Sequence, residues 1–250
     1  MIDIHSHILY DIDDGPDDIY ESVRLCEIGF ENGIDSAVAT PHITLSDDLE
    51  EFVKLRDHRL NRLKEVLKEK DIPLMLYAGA EVFIDDDIYD IRNLDKLCIN
   101  NSRYILVEFD FHSLSARRLI SYIEEIFKMN YIPIVAHPER YSYLQKDYAL
   151  VDFLSDKGTL FQINADSLAG LTGYEEFELS YRMVTRYRAS FIGTDAHSNM
   201  QRRNDLLRMV NNFPPDITRE CLDYMLYEAP SRVLQNKELP RIRRGRIAGR

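Results

Sequence analysis

The sequence lacks the features of a disulfide-bonded, secreted or membrane-spanning protein. It has three cysteines and no Cys-x-x-Cys pair, so neither a disulfide scaffold nor a thiolate zinc site is supported. The first residues of the chain include Asp3 and Asp11, whereas a signal peptide needs a basic start and an apolar stretch. No uncharged run approaches the ~20 residues that cross a bilayer. We therefore expect no membrane span and a cytoplasmic protein with reduced cysteines.

Basic residues are fewer than acidic ones, and this imbalance limits the partners. The chain has 31 Lys and Arg against 43 Asp and Glu, which gives a formal net charge of −12. Such a surface repels phosphate backbones, so binding to nucleic acid is not expected. The exception is the arginine-rich stretch 241–250, which has little to bury. We predict a basic, flexible tail there and one domain over residues 1–240.

Apolar runs rich in β-branched residues alternate with stretches of helical periodicity, and near-continuous apolar runs are typical of strands covered on both faces. The predicted strands are Ile2–His5, Ser36–Thr40, Leu74–Gly79, Tyr104–Phe109, Ile132–Ala136, Thr159–Ile163 and Ser190–Gly193. The predicted helices are Asp17–Gly33, Asp47–Lys70, Ser115–Asn130, Asp147–Lys157 and Tyr174–Tyr187, with further helix over Asp205–Asn236. Strands separated mostly by helices, in a chain of 250 residues, favour an α/β barrel over an open sheet.

Histidines and carboxylates follow the ends of the predicted strands. His5 and His7 follow the first strand, and Asp195 and His197 repeat this spacing after the last. The strands between them are followed by His42, Glu81, Glu108, His137 and Asn164. Because the carboxyl ends of parallel strands meet at one rim, we expect these side chains to converge. Imidazoles and hard carboxylate oxygens without thiolates indicate a site for Mn²⁺, Zn²⁺ or Fe²⁺.

The acidic turn after the first strand contributes a further candidate. Asp14 is either a metal ligand or part of a helix N-cap region, whereas Asp11 and Asp13 are expected to be solvated turn residues. With Asp14 included, the candidate ligands could hold about three divalent cations. The resulting pocket would carry net positive charge, which favours a phosphate monoester dianion over a neutral amide or ester.

Arginines near this rim are suited to bind such a dianion. Arg140 follows His137 closely, and its planar guanidinium can bind two phosphate oxygens at once. Arg202 and Arg203 follow the last strand and have the same capacity, although at least one of them is expected to form a surface ion pair.

The neighbours of the cysteines exclude a thiolate phosphatase mechanism. That mechanism needs an arginine six residues after the cysteine, where it stabilises the thiolate. The residues at that spacing from Cys26, Cys98 and Cys221 are Asn32, Tyr104 and Tyr227.

Several motifs, in order along the chain, resemble those of the polymerase and histidinol phosphatase (PHP) family. They are His5-x-His7, Asp14-Gly15-Pro16, Thr40-Pro41-His42, Gly79-Ala80-Glu81, Glu108, His137-Pro138-Glu139-Arg140 and Asp195-x-His197. More narrowly, they resemble the Gram-positive branch of manganese-dependent protein tyrosine phosphatases that are encoded with capsule or exopolysaccharide operons. The similarity extends from Met1 to about Arg203.

The resemblance implies a distorted (β/α)7 barrel of the PHP type with extra C-terminal helices and three divalent metal ions. Mn²⁺ is the expected ion, with Zn²⁺, Fe²⁺ or Mg²⁺ as alternatives. The implied ligand sets are His5, His7, Glu81 and Asp195 for the first ion, Glu81, Glu108 and His137 for the second, and Asp14, His42 and His197 for the third. Arg140 and Arg202 would bind the phosphate, and His42 or His197 could assist the leaving group.

The implied activity is hydrolysis of phosphotyrosine on a bacterial tyrosine kinase that controls capsule or exopolysaccharide synthesis. The expected mechanism is in-line attack on phosphorus by a hydroxide that bridges the metals. Glu21-x-x-Arg24 resembles a self-association motif of the same branch, so a homo-oligomer is a further expectation. Two alternatives remain: a PHP phosphatase of a small phosphate monoester such as histidinol phosphate or a sugar phosphate, and a non-catalytic module that binds a phosphorylated kinase tail.

Overall fold

The computed structural model describes residues 1–198 and 204–240, together with the backbone of 242–243 and 246–247. The strands are β1 (Ile2–Ser6), β2 (Ser36–Ala39), β3 (His42–Thr44), β4 (Met75–Ala78), β5 (Glu81–Phe83), β6 (Tyr104–Glu108), β7 (Ile132–Ala136), β8 (Leu160–Asn164), β9 (Phe191–Gly193), β10 (Ile242–Arg243) and β11 (Arg246–Ile247). The helices are α1 (Ile19–Glu31), α2 (Leu49–Glu69), α3 (Ala116–Lys128), α4 (Ser142–Lys146), α5 (Tyr148–Lys157), α6 (Ala165–Leu168), α7 (Tyr174–Thr185), α8 (Leu206–Val210), α9 (Arg219–Asp223) and α10 (Ala229–Leu234).

Strands β1 to β9 form two parallel sheets that together provide seven strand positions. One sheet has the order β1-β2-β4 and the other the order β3-β5-β6-β7-β8-β9. The chain passes directly from β2 into β3 across Thr40 and Pro41, and from β4 into β5 across Gly79 and Ala80. Each of these two pairs therefore continues one strand position from the first sheet into the second. The predicted α/β fold with a parallel sheet is confirmed.

The two ends of this strand series lie next to each other. A parallel bridge pairs Ser6 of β1 with Ala196, which follows β9. Two backbone hydrogen bonds accompany it: the amide of Asp195 donates to the carbonyl of His5 at 2.9 Å, and the amide of His7 donates to the carbonyl of Ala196 at 2.8 Å. The first and last segments of the rim are thus held together by main-chain bonds.

Gly79, between β4 and β5, packs closely against β2 and the residues that follow it. A Cβ atom on Gly79 would lie 2.8 Å from Cγ1 of Val38 and 3.2 Å from Cγ2 of Thr40, so glycine permits this close approach. The buried Arg56 side chain of α2 donates to the carbonyl of Gly79 at 3.1 Å. The chain then turns so that Glu81 is fully buried in the interior.

The helices begin close to where capping chemistry predicts. The Asp18 carboxylate accepts hydrogen bonds from two backbone amides at the start of α1, and Asp48 caps α2 in the same way. Asp147 caps α5 by accepting from one amide, that of Ala149. Gly33 and Gly158 have positive φ values of 83° and 107° after their helices, the left-handed conformation that commonly ends a helix.

The predicted helical segment Asp205–Asn236 is divided into several short helices, which agrees with the expected extra C-terminal helices. The segment contains α8, then a non-helical connection, then a helical run through α9, the π-helical turn Tyr224–Glu228 and α10. The adjacent prolines Pro214 and Pro215 explain the interruption, because proline lacks the amide hydrogen that an interior helix position donates.

The core lies between the strands and the inward faces of the helices. Strand β6 is buried from Tyr104 to Val107, as a near-continuous apolar run predicts. Leu63 and Leu67 of α2 are buried, as are Ile123 and Ile126 of α3. Among the described residues, no helix combines the length and apolarity that a membrane span requires.

Candidate metal centre

The structure brings the predicted strand-end residues together at one rim of the fold. Most of them are almost completely buried, while Asp14, His42 and Glu108 are open to solvent to different degrees. The residues that converge are His5, His7, Asp14, His42, Glu81, Glu108, His137, Asp195 and His197. Residues separated by nearly the whole chain therefore form one cluster.

The tightest group consists of His5, His7, Glu81 and Asp195. One ligand atom from each lies within 4.8 Å of the others, and all four residues are buried. The Nε2 atoms of His5 and His7 lie 3.0 Å and 3.1 Å from the same carboxylate oxygen of Glu81, and 3.2 Å from each other. This is the set that the resemblance implies for the first ion.

Glu81 also contacts the residues expected around the second ion. The Nε2 atom of His137 lies 2.8 Å from Oε1 of Glu81 and 3.6 Å from Oε1 of Glu108. The Nδ1 atom of His42 lies 3.2 Å from Oε2 of Glu81 and 3.9 Å from Oε2 of Glu108. His42 thus joins the two glutamates in a second group. Glu81 is shared between groups, as a bridging ligand would be.

A third group contains His7, Asp14, His42 and His197. Oδ1 of Asp14 lies 3.2 Å from Nε2 of His197 and 3.6 Å from Nε2 of His42. The imidazole rings of His7 and His197 are stacked with their centroids 3.9 Å apart. The cap of α1 is Asp18, so the alternative role of Asp14 in a helix N-cap is wrong.

Two of the residues in the cluster have unusual backbone conformations. His137 has φ 31° and Asp195 has φ 51°, both in the left-handed region that non-glycine residues seldom adopt. His137 directly follows β7, and Asp195 lies two residues after the end of β9. Such strain is typical of positions where the surrounding fold holds a side chain in a required direction.

Raised pKa values favour protons on His5, His7 and Glu108, and these protons balance the negative charge of the buried carboxylates. Burial lowers the pKa of His5, but the carboxylates of Glu81 and Asp195 outweigh this effect and raise it to about 9. Burial likewise opposes protonation of His7, yet hydrogen bonds to Asp13 and Glu81 raise its pKa to about 10. Burial and the nearby Glu81 carboxylate raise the pKa of Glu108 to about 8.

This donor set fits divalent cations. Buried carboxylates require compensating positive charge. Imidazole nitrogens that converge on one carboxylate oxygen provide the ligands of a cation site. The ligands are hard oxygens and imidazoles, which suits Mn²⁺, Zn²⁺ or Fe²⁺. A bound cation would replace the protons that balance the cluster in its absence.

Asp13 was expected to be a solvated turn residue, and this prediction is wrong. Its side chain is only 4% exposed, and Oδ2 lies 2.7 Å from Nδ1 of His7. The same carboxylate accepts from the backbone amides of Gly15 and His42, each at 3.0 Å. Asp11, by contrast, is exposed and pairs with Arg59, as expected of a turn residue. No signal in the sequence distinguishes these two aspartates.

Arg140 lies at the open side of the cluster. Its Nη1 atom is 3.6 Å from Oδ2 of Asp195, and its guanidinium lies 4.7 Å from the ring centroid of Phe111. The Phe111 ring also packs edge-on against His137, with a centroid distance of 5.6 Å. Phe111 is a contact that the sequence did not indicate. The second predicted phosphate-binding residue, Arg202, and its neighbour Arg203 lie outside the described residues.

The cysteines take no part in this arrangement. Cys26 and Cys98 are buried, and burial raises the pKa of each thiol to about 12. Burial also raises the pKa of Cys221, which is half-buried. These thiols are therefore protonated at neutral pH, which agrees with the exclusion of a thiolate mechanism.

The fold and the cluster define a class of protein: a parallel α/β fold that gathers histidines and carboxylates suited to bind divalent cations at one rim. The chain matches the sequence profile described as capsular polysaccharide synthesis, CpsB/CapC, over residues 1–235. The protein belongs to the CpsB/CapC family.

Individual relatives agree with this assignment. CapC of Staphylococcus aureus is 38% identical over 220 residues, which cover 85% of this chain and 83% of that protein. The tyrosine-protein phosphatase YwqE of Bacillus subtilis is 32% identical over 244 residues, covering 96% and 93% of the two chains. A crystal structure from work on YwqE and on CpsB of Streptococcus pneumoniae, described as metal-dependent tyrosine phosphatases, superposes with a TM-score of 0.82 at 29% identity and covers 95% of this chain and 96% of that one.

Proposed function

We propose that this protein is a metal-dependent protein-tyrosine phosphatase. The observation that carries the proposal is the convergence of His5, His7, Glu81 and Asp195 on one buried point below Arg140, in a chain whose relatives are tyrosine phosphatases. The cluster offers acids and imidazoles to cations, and Arg140 offers a guanidinium to the phosphate of the substrate. The function is a phosphoric monoester hydrolysis that does not use cysteine.

The proposed metal content is three divalent ions, with Mn²⁺ as the expected species. His5, His7, Glu81 and Asp195 would hold the first ion, and Glu81, Glu108 and His137 the second. Asp14, His42 and His197 would hold the third, with His7 close enough to share it. When bound, such ions supply a water of lowered pKa as nucleophile and neutralise charge on the phosphoryl oxygens.

The residues of this chain provide binding and orientation. Arg140 binds non-bridging phosphate oxygens, and the Phe111 ring holds the guanidinium from one side. The leaving phenolate has a pKa of about 10, so strong general-acid assistance is less necessary than for an alkyl phosphate. His42 is half-exposed at the opening, and burial lowers its pKa, so its imidazole is neutral at pH 7. Its proposed role is to accept the proton that the attacking water loses and to pass it to the phenolate oxygen as that oxygen leaves.

The proposed substrate is a tyrosine-phosphorylated protein, specifically a bacterial tyrosine kinase that controls capsule or exopolysaccharide synthesis. Support comes from the family, whose description is capsular polysaccharide synthesis. The proposal places this reaction in the cytoplasm, where a reducing environment keeps thiols such as Cys26 and Cys98 unpaired. Self-association through the Glu21-x-x-Arg24 segment of α1 is part of the same proposal. In this chain Arg24 forms an exposed ion pair with Glu27.

The decisive experiment measures phosphate release and bound metal on the same sample. Metal-free protein, and protein loaded with Mn²⁺, would each be given a phosphotyrosine peptide, histidinol phosphate and a phosphoserine peptide. We expect turnover only with Mn²⁺ and with the phosphotyrosine peptide as the preferred substrate. A preference for histidinol phosphate would make the protein a small-molecule phosphatase. Full metal loading without any turnover would make it a binding module.

A further inference from the structure

Two amide side chains on β8 connect His5 with Asp195. Oε1 of Gln162 lies 2.6 Å from Nδ1 of His5. Nε2 of Gln162 donates to Oδ1 of Asn164 at 2.9 Å, and Nδ2 of Asn164 donates to Oδ2 of Asp195 at 2.9 Å. All four side chains are buried. The two amides thus form an unbroken hydrogen-bonded chain between two members of the tightest group.

The carboxylate of Asp195 determines which group donates and which accepts in each of these hydrogen bonds. A carboxylate only accepts hydrogen bonds, so Asn164 must face Asp195 with its NH2 group. Asn164 then faces Gln162 with its oxygen, which requires Gln162 to donate through Nε2. Gln162 consequently faces His5 with its own oxygen, and Nδ1 of His5 must carry a proton. The unprotonated nitrogen of a neutral His5 is therefore Nε2.

The atoms of His5 and Asp195 that are not hydrogen-bonded to the two amides face the other members of the tightest group. Nε2 of His5 lies 3.0 Å from Oε2 of Glu81. Oδ1 of Asp195 lies 3.5 Å from Nε2 of both His5 and His7. Oδ2 of Asp195 faces Asn164 and Arg140 instead. One end of the chain thus orients an imidazole, and the other end orients a carboxylate, toward the same point.

The neighbouring strand is shaped to admit the amides. Gly193 of β9 lies opposite Asn164 in the sheet. A Cβ atom at this position would lie 2.8 Å from Nε2 of Gln162 and 3.0 Å from Cβ of His5. A side chain there would displace Gln162 from His5, so the glycine is an independent sign that this contact is built into the fold.

We propose that Gln162 and Asn164 are positioning residues of the metal centre, which fix the proton of His5 on Nδ1 and the Oδ1 atom of Asp195 toward the cation. The inference rests on the proposed function only in that a cation binds this group. Partners of this kind orient ligands in metal sites generally, and their loss weakens metal affinity by about 10- to 100-fold.

The first test leaves both amides unchanged. Protein labelled with ¹⁵N on histidine and loaded with Zn²⁺, which is diamagnetic, would be examined by NMR at neutral pH. We expect the His5 ring to show a proton on Nδ1 that exchanges slowly with water, because the acceptor Gln162 is fully buried. A proton on Nε2 would overturn the proposal. The signal is assigned by its absence in His5→Ala.

The second test removes the amides while keeping their volume. Gln162→Met and Asn164→Leu should each weaken Zn²⁺ binding by about 10- to 100-fold, and the His5 Nδ1 proton should exchange faster with water. Thr159→Val is the matched control. Thr159 directly precedes β8 and is buried, and its hydroxyl has no hydrogen-bond partner among the described residues. This control should bind Zn²⁺ as the parent does.

The outcomes separate the two proposals. Zn²⁺ affinity unchanged within twofold in both amide variants overturns the positioning role while leaving the metal centre intact. A parent protein that takes up no divalent metal overturns the proposed function itself. If both variants fail to fold, the NMR measurement on the parent protein still decides the question.

Discussion

Oδ2 of Asp13 and Nδ1 of His7 lie 2.7 Å apart, in contact below the surface of the rim. This carboxylate orients the imidazole of His7 and also accepts from the amide of His42 at 3.0 Å. We expect Asp13→Asn to weaken metal binding by about 10- to 100-fold, because the amide is a poorer acceptor and can turn its NH2 group toward His7. Isothermal titration calorimetry with the metal ion measures the change in affinity.

The matched control is Asp11→Asn, two residues away in the same turn. Asp11 is exposed and pairs with Arg59, and exposed ion pairs contribute little. Metal affinity should therefore be unchanged in this variant. Equal effects of the two substitutions would show that the charge of the turn matters, and not the contact with His7.

Glu81 is the carboxylate that the buried imidazoles share. Replacing it by glutamine keeps the shape but removes the charge that bridges His5, His7 and His137. We expect Glu81→Gln to lower phosphatase activity by at least about 1000-fold at a fixed metal concentration, with a loss of bound metal. Metal analysis and phosphotyrosine turnover measure both effects. His58→Ala, which changes an exposed histidine on α2, should retain both; activity retained in Glu81→Gln would remove this residue from the metal site.

Arg140 contributes a charge-assisted contact to the phosphate in the proposed mechanism. Such a contact is worth about 2 kcal/mol, so Arg140→Gln should lower kcat/KM roughly 30-fold. Bound metal should stay the same, because the guanidinium lies 3.6 Å from Oδ2 of Asp195, beyond hydrogen-bond distance, and Asn164 keeps its 2.9 Å hydrogen bond to that oxygen. Arg118→Gln, a change in an exposed ion pair with Asp86, should have no effect. A loss of metal in Arg140→Gln would show a structural role instead.

Metal uptake should release protons. The pKa values of about 9 for His5, about 10 for His7 and about 8 for Glu108 mean that all three are protonated at pH 7 in the cation-free protein. Cations bind the deprotonated ligands, so affinity should rise with pH between 6 and 8, by about tenfold per unit for each proton released, and level off above these pKa values. Calorimetry in buffers of different ionisation enthalpy counts the protons. An affinity that falls as pH rises would contradict this account.

Thiol reagents and chelators should have opposite effects on the enzyme. Burial raises the pKa of the Cys26 and Cys98 thiols to about 12, so they react slowly with alkylating agents. Iodoacetamide should leave phosphotyrosine turnover unchanged, whereas a chelator should abolish it and Mn²⁺ should restore it. Inactivation by iodoacetamide that Mn²⁺ does not reverse would reopen the question of a thiol mechanism.

The strand-end pattern was readable from the sequence because it combines two strong periodic signals. Apolar runs repeat along the chain, and His5, His42 and Glu81 stand at or just after the ends of the predicted strands. The geometry of a parallel fold then dictates that such residues meet. Helix starts were also predictable, since aspartates such as Asp18 cap the helices through local backbone contacts.

Other features depend on contacts that sequence periodicity does not contain. Asp13 and Asp11 look alike in the chain, and only the tertiary position of His7 makes one of them buried. Gln162 reads as a polar residue within a strand, and its role depends on Gly193 from the neighbouring strand.

The bridge between Ser6 and Ala196 has a consequence for how the protein is made. A ribosome delivers His5 and His7 nearly two hundred residues before Asp195 and His197. A nascent chain therefore contains His5 and His7 without Asp195 and His197 during much of its translation. A product truncated before Asp195 therefore lacks one member of the first group of ligands.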